Sequence, residues 1–151
     1  MIILLCGGVG AGKSILAQRL SERLGDARVL SSDSFKRRVY ERLLLELERG
    51  MNKQKYLILD ATFYRKVYRD RVRETAMGRD KLFTIYLKCP LEVCLERNRR
   101  RSGAVPENAV RIIHRLFEEP ENPDLVVNTA EVGVDEALER VLENLRTRRS
   151  I

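Results

Sequence analysis

A chain of 151 residues with 44% hydrophobic content and no Ser-, Pro- or Gly-rich linker is expected to form one domain over 1–151, large enough to bury a core without staples. Its 29 lysines and arginines against 22 acids leave a net charge of +7, which suits a nucleotide or nucleic-acid ligand. Cysteines without zinc spacing argue for buried thiols over a metal site, and an opening apolar run too short for a signal or membrane span predicts a cytoplasmic protein with no membrane partner.

Residues 1–6 (MIILLC) are continuously apolar, as in a parallel strand covered on both faces. Gly7-Gly8-Val9-Gly10-Ala11-Gly12-Lys13-Ser14 follows and fits G-x-x-x-x-G-K-[ST]. Leu16, Ala17, Leu20 and Leu24 then recur at helical spacing until Gly25. Strand, glycine loop and helix in that order make a nest for phosphate. The glycines permit φ > 0, successive N–H groups converge, and the helix N-terminus adds about half a positive charge. Residues 7–15, Ile15 included, are therefore expected to bind a nucleoside triphosphate such as ATP. Lys13 would reach the β/γ-phosphates and Ser14 would hold Mg²⁺.

Residues 28–31 read as a second strand leading to Asp33. A helix is expected to start near Phe35, carry Val39, Leu43 and Leu47 four apart, and end at Gly50. Residues 56–60 (YLILD) are a third strand running into Asp60. A basic helix over about 65–77 follows, and its Arg65 and Arg69, four apart, would hold an anionic group of the acceptor. Residues 81–89 form a fourth strand, and Pro90 suits the first position of the next helix. That helix runs into Arg97-Asn98-Arg99-Arg100-Arg101, and Ser102 to Val105 break it. Pro106 opens another helix, in which a structural role is expected for His114. Residues 125–127 are a fifth strand, and a closing amphipathic helix ends in a tail from Arg146 to Ile151 that is expected to fray.

Strands alternating with helices predict an α/β protein of the P-loop NTPase or kinase fold, a five-stranded parallel sheet with helices on both faces. Ligands in such sheets bind beyond the carboxyl ends of the strands, where the glycine loop, Asp33 and Asp60 would all lie. Asp33 suits a general base for an attacking hydroxyl, or a Mg²⁺ ligand, against a plain N-cap for the helix near Phe35. Asp60 suits a Mg²⁺ site reached through water, against a strand-end turn. The arginine cluster suits a lid over about 97–106, with Arg97 and Arg101 on one side, against a solvated helix end.

The runs Asp60-Ala61-Thr62-Phe63-Tyr64, Arg69-Asp70-Arg71 and Leu91-Glu92-Val93-Cys94-Leu95-Glu96-Arg97-Asn98 are specific enough to name a family. Together with Val105-Pro106-Glu107 and Glu118-Glu119-Pro120, they resemble the kinase domain of L-seryl-tRNA(Sec) kinases. Those enzymes phosphorylate the serine hydroxyl on tRNA. The resemblance implies that Lys13 and Ser14 serve the triphosphate, that Asp33 is the catalytic aspartate, and that Arg97 and Arg101 form the R-x-x-x-R lid pair. It implies ATP and Mg²⁺ as cofactors and a hydroxyl acceptor, aminoacylated tRNA among the candidates. Two departures stand out: the family's Asp-Asp pair is Asp60-Ala61 here, and its second, tRNA-gripping helical domain has no counterpart in these 151 residues. A small-metabolite or polynucleotide hydroxyl kinase is the alternative within the class. Outside it stands an ATPase switch or RNA-binding protein.

Overall fold

The computed structural model describes residues 1–149. Its strands are β1 (Ile2–Cys6), β2 (Ala27–Ser31), β3 (Tyr56–Asp60), β4 (Leu82–Lys88) and β5 (Leu125–Asn128). They form a single parallel sheet in the order β2-β3-β1-β4-β5, the architecture expected from the sequence. Every residue of β1 and β3 is buried, which explains why both read as unbroken apolar runs without alternation.

The two faces of β1 feed two cores. Ile3 and Leu5 pack with Leu16 and Leu20 of α1 (Lys13–Leu24), alongside Val141 and Leu145 of the last helix. Ile2, Leu4 and Cys6 point the other way, onto Leu43 and Leu47 of α2 (Val39–Gly50) and Val72 of α3 (Lys66–Ala76). Beyond β4 the chain forms α4 (Leu91–Arg100) and α5 (Glu107–Leu116), then crosses to β5 and ends in α6 (Val134–Arg149). The register sets Ser31 and Leu5 beside Asp60, Cys6 beside Tyr86, and Lys88 beside Asn128, so the carboxyl ends of all five strands form one edge. All three cysteines are free and buried, as expected for structural thiols.

Three local expectations need correction. The second helix starts at Val39, because Ser32–Ser34 form a 3₁₀ turn, Phe35 is extended, and Arg38 is left-handed at φ 52. Phe35 still packs on the core, so its four-residue spacing to Val39 reflects burial without helix. Pro90 is the extended N-cap of α4, one residue before the helix begins. The tail is helical from Arg146 to Arg149; Leu145 is buried and Arg148 pairs with Asp124 at 2.7 Å over the ring of Phe83. The last two residues of the expected tail, Ser150 and Ile151, lie outside the described residues.

Candidate active site

The glycine loop turns tightly between β1 and α1. Gly10 and Gly12 take φ of 87° and 98°, a region closed to residues with a Cβ except at a cost, and Gly12 serves as N-cap of α1. The Gly7 N–H donates to the Thr62 carbonyl at 3.1 Å, tying the start of the loop to the end of β3. Lys13 opens α1 and folds back over the loop, its Nζ donating to the Gly8 carbonyl at 2.8 Å. Only 8% of Lys13 is exposed. Burial pulls its pKa below the ordinary lysine value, and the charge of Asp60 works against that pull.

Asp60 is buried where β3 ends, and its Oδ2 accepts from the Ser14 hydroxyl at 2.8 Å and the Ser31 hydroxyl at 3.4 Å. Asp33 differs. It sits exposed in the 3₁₀ turn after β2, its N–H donating to Ser31 Oγ, and it caps no α-helix. The alternative reading, an N-cap for a helix near Phe35, is therefore not the role it has. A cavity of about 490 Å³ is lined by Gly12, Lys13, Ser14, Asp33, Asp60, Arg97 and Arg101 together. Its polar walls carry oxygen donors beside an ammonium, guanidinium groups and a helix N-terminus. That charge pattern fits a phosphate chain with a hard cation.

Arg97 and Arg101 reach this cavity by different routes. Arg97 leaves α4 and donates to the Gly10 carbonyl at 3.3 Å, to Thr129 Oγ1 at 3.1 Å and to the Thr129 carbonyl at 2.5 Å. Arg101 lies past the helix as its extended C-cap. Arg99 and Arg100 form the solvated helix end, pairing with Glu96 and Glu107. Arg97 also borders a second, largely apolar cavity of about 190 Å³ between Ile15, Leu87, Val132 and Val134. A planar, mostly apolar ligand group fits there, joined to the phosphate cavity past Gly12 and Arg97.

The expected pairing of Arg65 with Arg69 is not formed. Arg65 is the extended, exposed N-cap of α3, outside the helical repeat on which the pairing depended. Arg69 is buried, its Nη1 held by the Phe63 carbonyl at 2.6 Å, where Phe63 takes a left-handed φ of 45°. Arg73, four residues after Arg69 on α3, pairs with Asp70. His114 is exposed on α5, away from the cavity walls.

Three residues without an assigned role turn out to shape the site. Thr129 Oγ1 donates to the Ala11 carbonyl at 2.8 Å while accepting from Arg97, so one hydroxyl joins the glycine loop to the end of β5. The Tyr40 hydroxyl meets Thr62 Oγ1 at 3.0 Å and accepts the Phe63 N–H, and its ring stacks on Tyr68 at 3.8 Å. Asn98 is 1% exposed and bonds both backbone groups of Val105. Thr129 was marked only by its place after a strand, on the edge where ligands bind. Cys89 is lowered from 9.0 to about 6, first by hydrogen bonding with Cys94 and also by the charge of Arg97, whose Nη1 lies 3.6 Å from the thiol sulfur.

The family model for an AAA domain matches residues 2–120. Among curated proteins, the chain is 28% identical to the "Probable adenylyl-sulfate kinase" of Halalkalibacterium halodurans, covering 99% of this chain and 84% of that protein. It is 25% identical to the L-seryl-tRNA(Sec) kinase of Methanococcus maripaludis over 95% of this chain, and spans 65% of that protein's length. Among solved structures, the APS kinase of Mycobacterium tuberculosis, in complex with AMPPNP and APS, superposes with a TM-score of 0.74. That match covers 96% of each chain at 19% identity, a likeness of fold.

Proposed function

The chain belongs to the AAA domain family and is an ATP-dependent kinase; we propose that it moves the γ-phosphate of ATP onto a hydroxyl carried by an RNA, an aminoacylated tRNA in the first instance. The observation that carries the phosphoryl-transfer reading is the shared cavity. It brings an exposed carboxylate, Asp33, into the same cavity as Lys13, Ser14 and the two arginines. The apolar cavity beside Ile15 and Val132 takes the base, and the glycine loop takes the phosphates along N–H groups at the start of α1. Lys13 turns from the Gly8 carbonyl to the β/γ-phosphate oxygens.

Ser14 and Asp60 present only oxygen donors, which suits Mg²⁺, and these two residues would hold it. When bound there, the ion would neutralise charge on the phosphate oxygens. Asp33 accepts the proton of the attacking hydroxyl, and Arg97 and Arg101 stabilise the transferring oxygens.

The acceptor reading rests on exposed cations close to the cavity residues in the chain. Lys36, Arg37, Arg38 and Arg65 are exposed, make no ion pair among the described residues, and stand a few residues after the cavity residues Asp33 and Thr62. A small anionic metabolite is the second reading, favoured by the likeness to adenylyl-sulfate kinases. Incubation with γ-labelled ATP and separately fractionated RNA and metabolites decides between them. Label in the aminoacylated RNA supports the first reading, label in a metabolite the second, and release of inorganic phosphate alone overturns both.

A further inference from the structure

α4 ends in a polar bracket that the reaction chemistry does not by itself require. Asn98 is buried, yet its side chain bonds no other side chain among the described residues. Its Nδ2 donates to the Val105 carbonyl at 2.6 Å, and its Oδ1 accepts the Val105 N–H at 3.1 Å. One amide thus closes the excursion from Arg99 to Ala104 as a neighbouring strand would, through both backbone groups of one residue. Inside that closed loop the Arg101 N–H bonds the Asn98 carbonyl, Arg101 is extended, and Gly103 turns the chain at φ 72°. Both ends of the exposed tip, Arg101 and Val105, line the phosphate cavity.

We propose that Asn98 is a positioning residue that holds Arg101 over the transferring phosphoryl group by fastening the base of the 97–106 lid to α4. The proposal rests on the kinase reading above. The amide is specific to the task, because it alone among side chains of this length offers one donor and one acceptor to the two backbone groups of a single residue. An aspartate keeps the acceptor but turns a second oxygen on the Val105 carbonyl. An alanine leaves the loop base unfastened and Arg101 without a fixed approach. Arg97 would be spared, since its partners Gly10 and Thr129 lie outside the bracket.

The test uses the full chain and two ligands: ADP, and ADP with aluminium fluoride, which mimics the phosphoryl group in transfer. Asn98→Ala is expected to weaken the aluminium fluoride complex by roughly 10²-fold, the scale of a small misplacement of a catalytic group. ADP affinity should stay within about 2-fold, because the bracket acts on the transferring group alone. In the double variant with Arg101→Ala the loss should be no greater than for Arg101→Ala alone, since one residue works through the other. Losses that multiply, or equal weakening of both ligands, would make Asn98 a general stabiliser and overturn the proposal. If Asn98→Ala fails to fold, Asn98→Asp takes the same comparison, and if neither folds Asn98 belongs to the core and the proposal falls. Wild-type protein that binds no ADP would overturn the kinase reading, and this inference with it.

Discussion

Asp33 and Asp60 end neighbouring strands in opposite surroundings, and the difference divides their work. Asp60 is buried under the hydroxyls of Ser14 and Ser31, whereas Asp33 is exposed and supports no α-helix. Asp33→Asn should therefore lower turnover by about 10²–10⁴-fold, the usual contribution of a general base, with an unchanged melting temperature. A lower melting temperature with surviving turnover would make Asp33 structural. Lys13→Ala should abolish phosphoryl transfer and weaken ATP binding while the chain stays folded, because the ammonium it removes is desolvated, bonded to a loop carbonyl and balanced by the opposite charge of Asp60. Circular dichroism together with a nucleotide titration checks both halves.

Cys89 adds a pH dependence. Its thiol falls from 9.0 to about 6 on folding, so between those values the unfolded chain binds the extra proton. Stability should then rise with pH across that window, and the contribution should be lost as pH falls through about 6. Cys89→Ser should flatten that part of a plot of melting temperature against pH. The same slope in both proteins would assign it to other groups.

At the scale of elements, the glycine loop is pressed against α4. A Cβ on Gly10 would come within 2.6 Å of the Cys94 carbonyl oxygen, whereas one on Gly12 would meet nothing within 4 Å. Both have positive φ, so Gly12→Ala isolates the backbone strain, about 1–3 kcal/mol, and Gly10→Ala adds a collision with a helix. Urea unfolding should rank Gly10→Ala as the more damaging of the two, and equal losses would show that α4 yields freely.

The same contrast explains what could be read in advance. β1 and β3 were legible because burial on both faces left each an apolar run, and the glycine loop because its residue types are dictated locally. The start of α2 was not, since Phe35 keeps helical spacing while its backbone is extended. Arg69 was misplaced because the left-handed turn at Phe63 aims a carbonyl at it, a feature set by backbone geometry. Thr129 acts on Ala11 across 118 residues, a distance over which residue spacing carries no information.

Across the whole molecule, the net charge of +7 is unevenly spent. Many arginines are balanced in exposed pairs such as Arg19 with Asp135, Arg23 with Glu139 and Arg140 with Glu136, which contribute little and attract nothing. Others make no ion pair among the described residues, and four of these exposed cations, Lys36, Arg37, Arg38 and Arg65, stand a few residues after the cavity residues Asp33 and Thr62 in the chain. Exposed cations of that kind can meet a phosphate backbone, and each phosphate they neutralise releases counterions, so binding should weaken steeply as salt rises. We expect measurable RNA binding at low salt. Reversing Arg37, Arg38 and Arg65 to glutamate should reduce it and flatten its salt dependence by about one unit of slope per lost contact, leaving ATP affinity unchanged. Arg69→Glu is the informative control: it should destabilise the fold, because its guanidinium is buried against the Phe63 carbonyl, without a separate effect on salt dependence. If no RNA binds even at low salt and a metabolite takes the label from ATP, the seryl-tRNA resemblance describes ancestry, and the exposed cations serve an acceptor with only one or two negative groups.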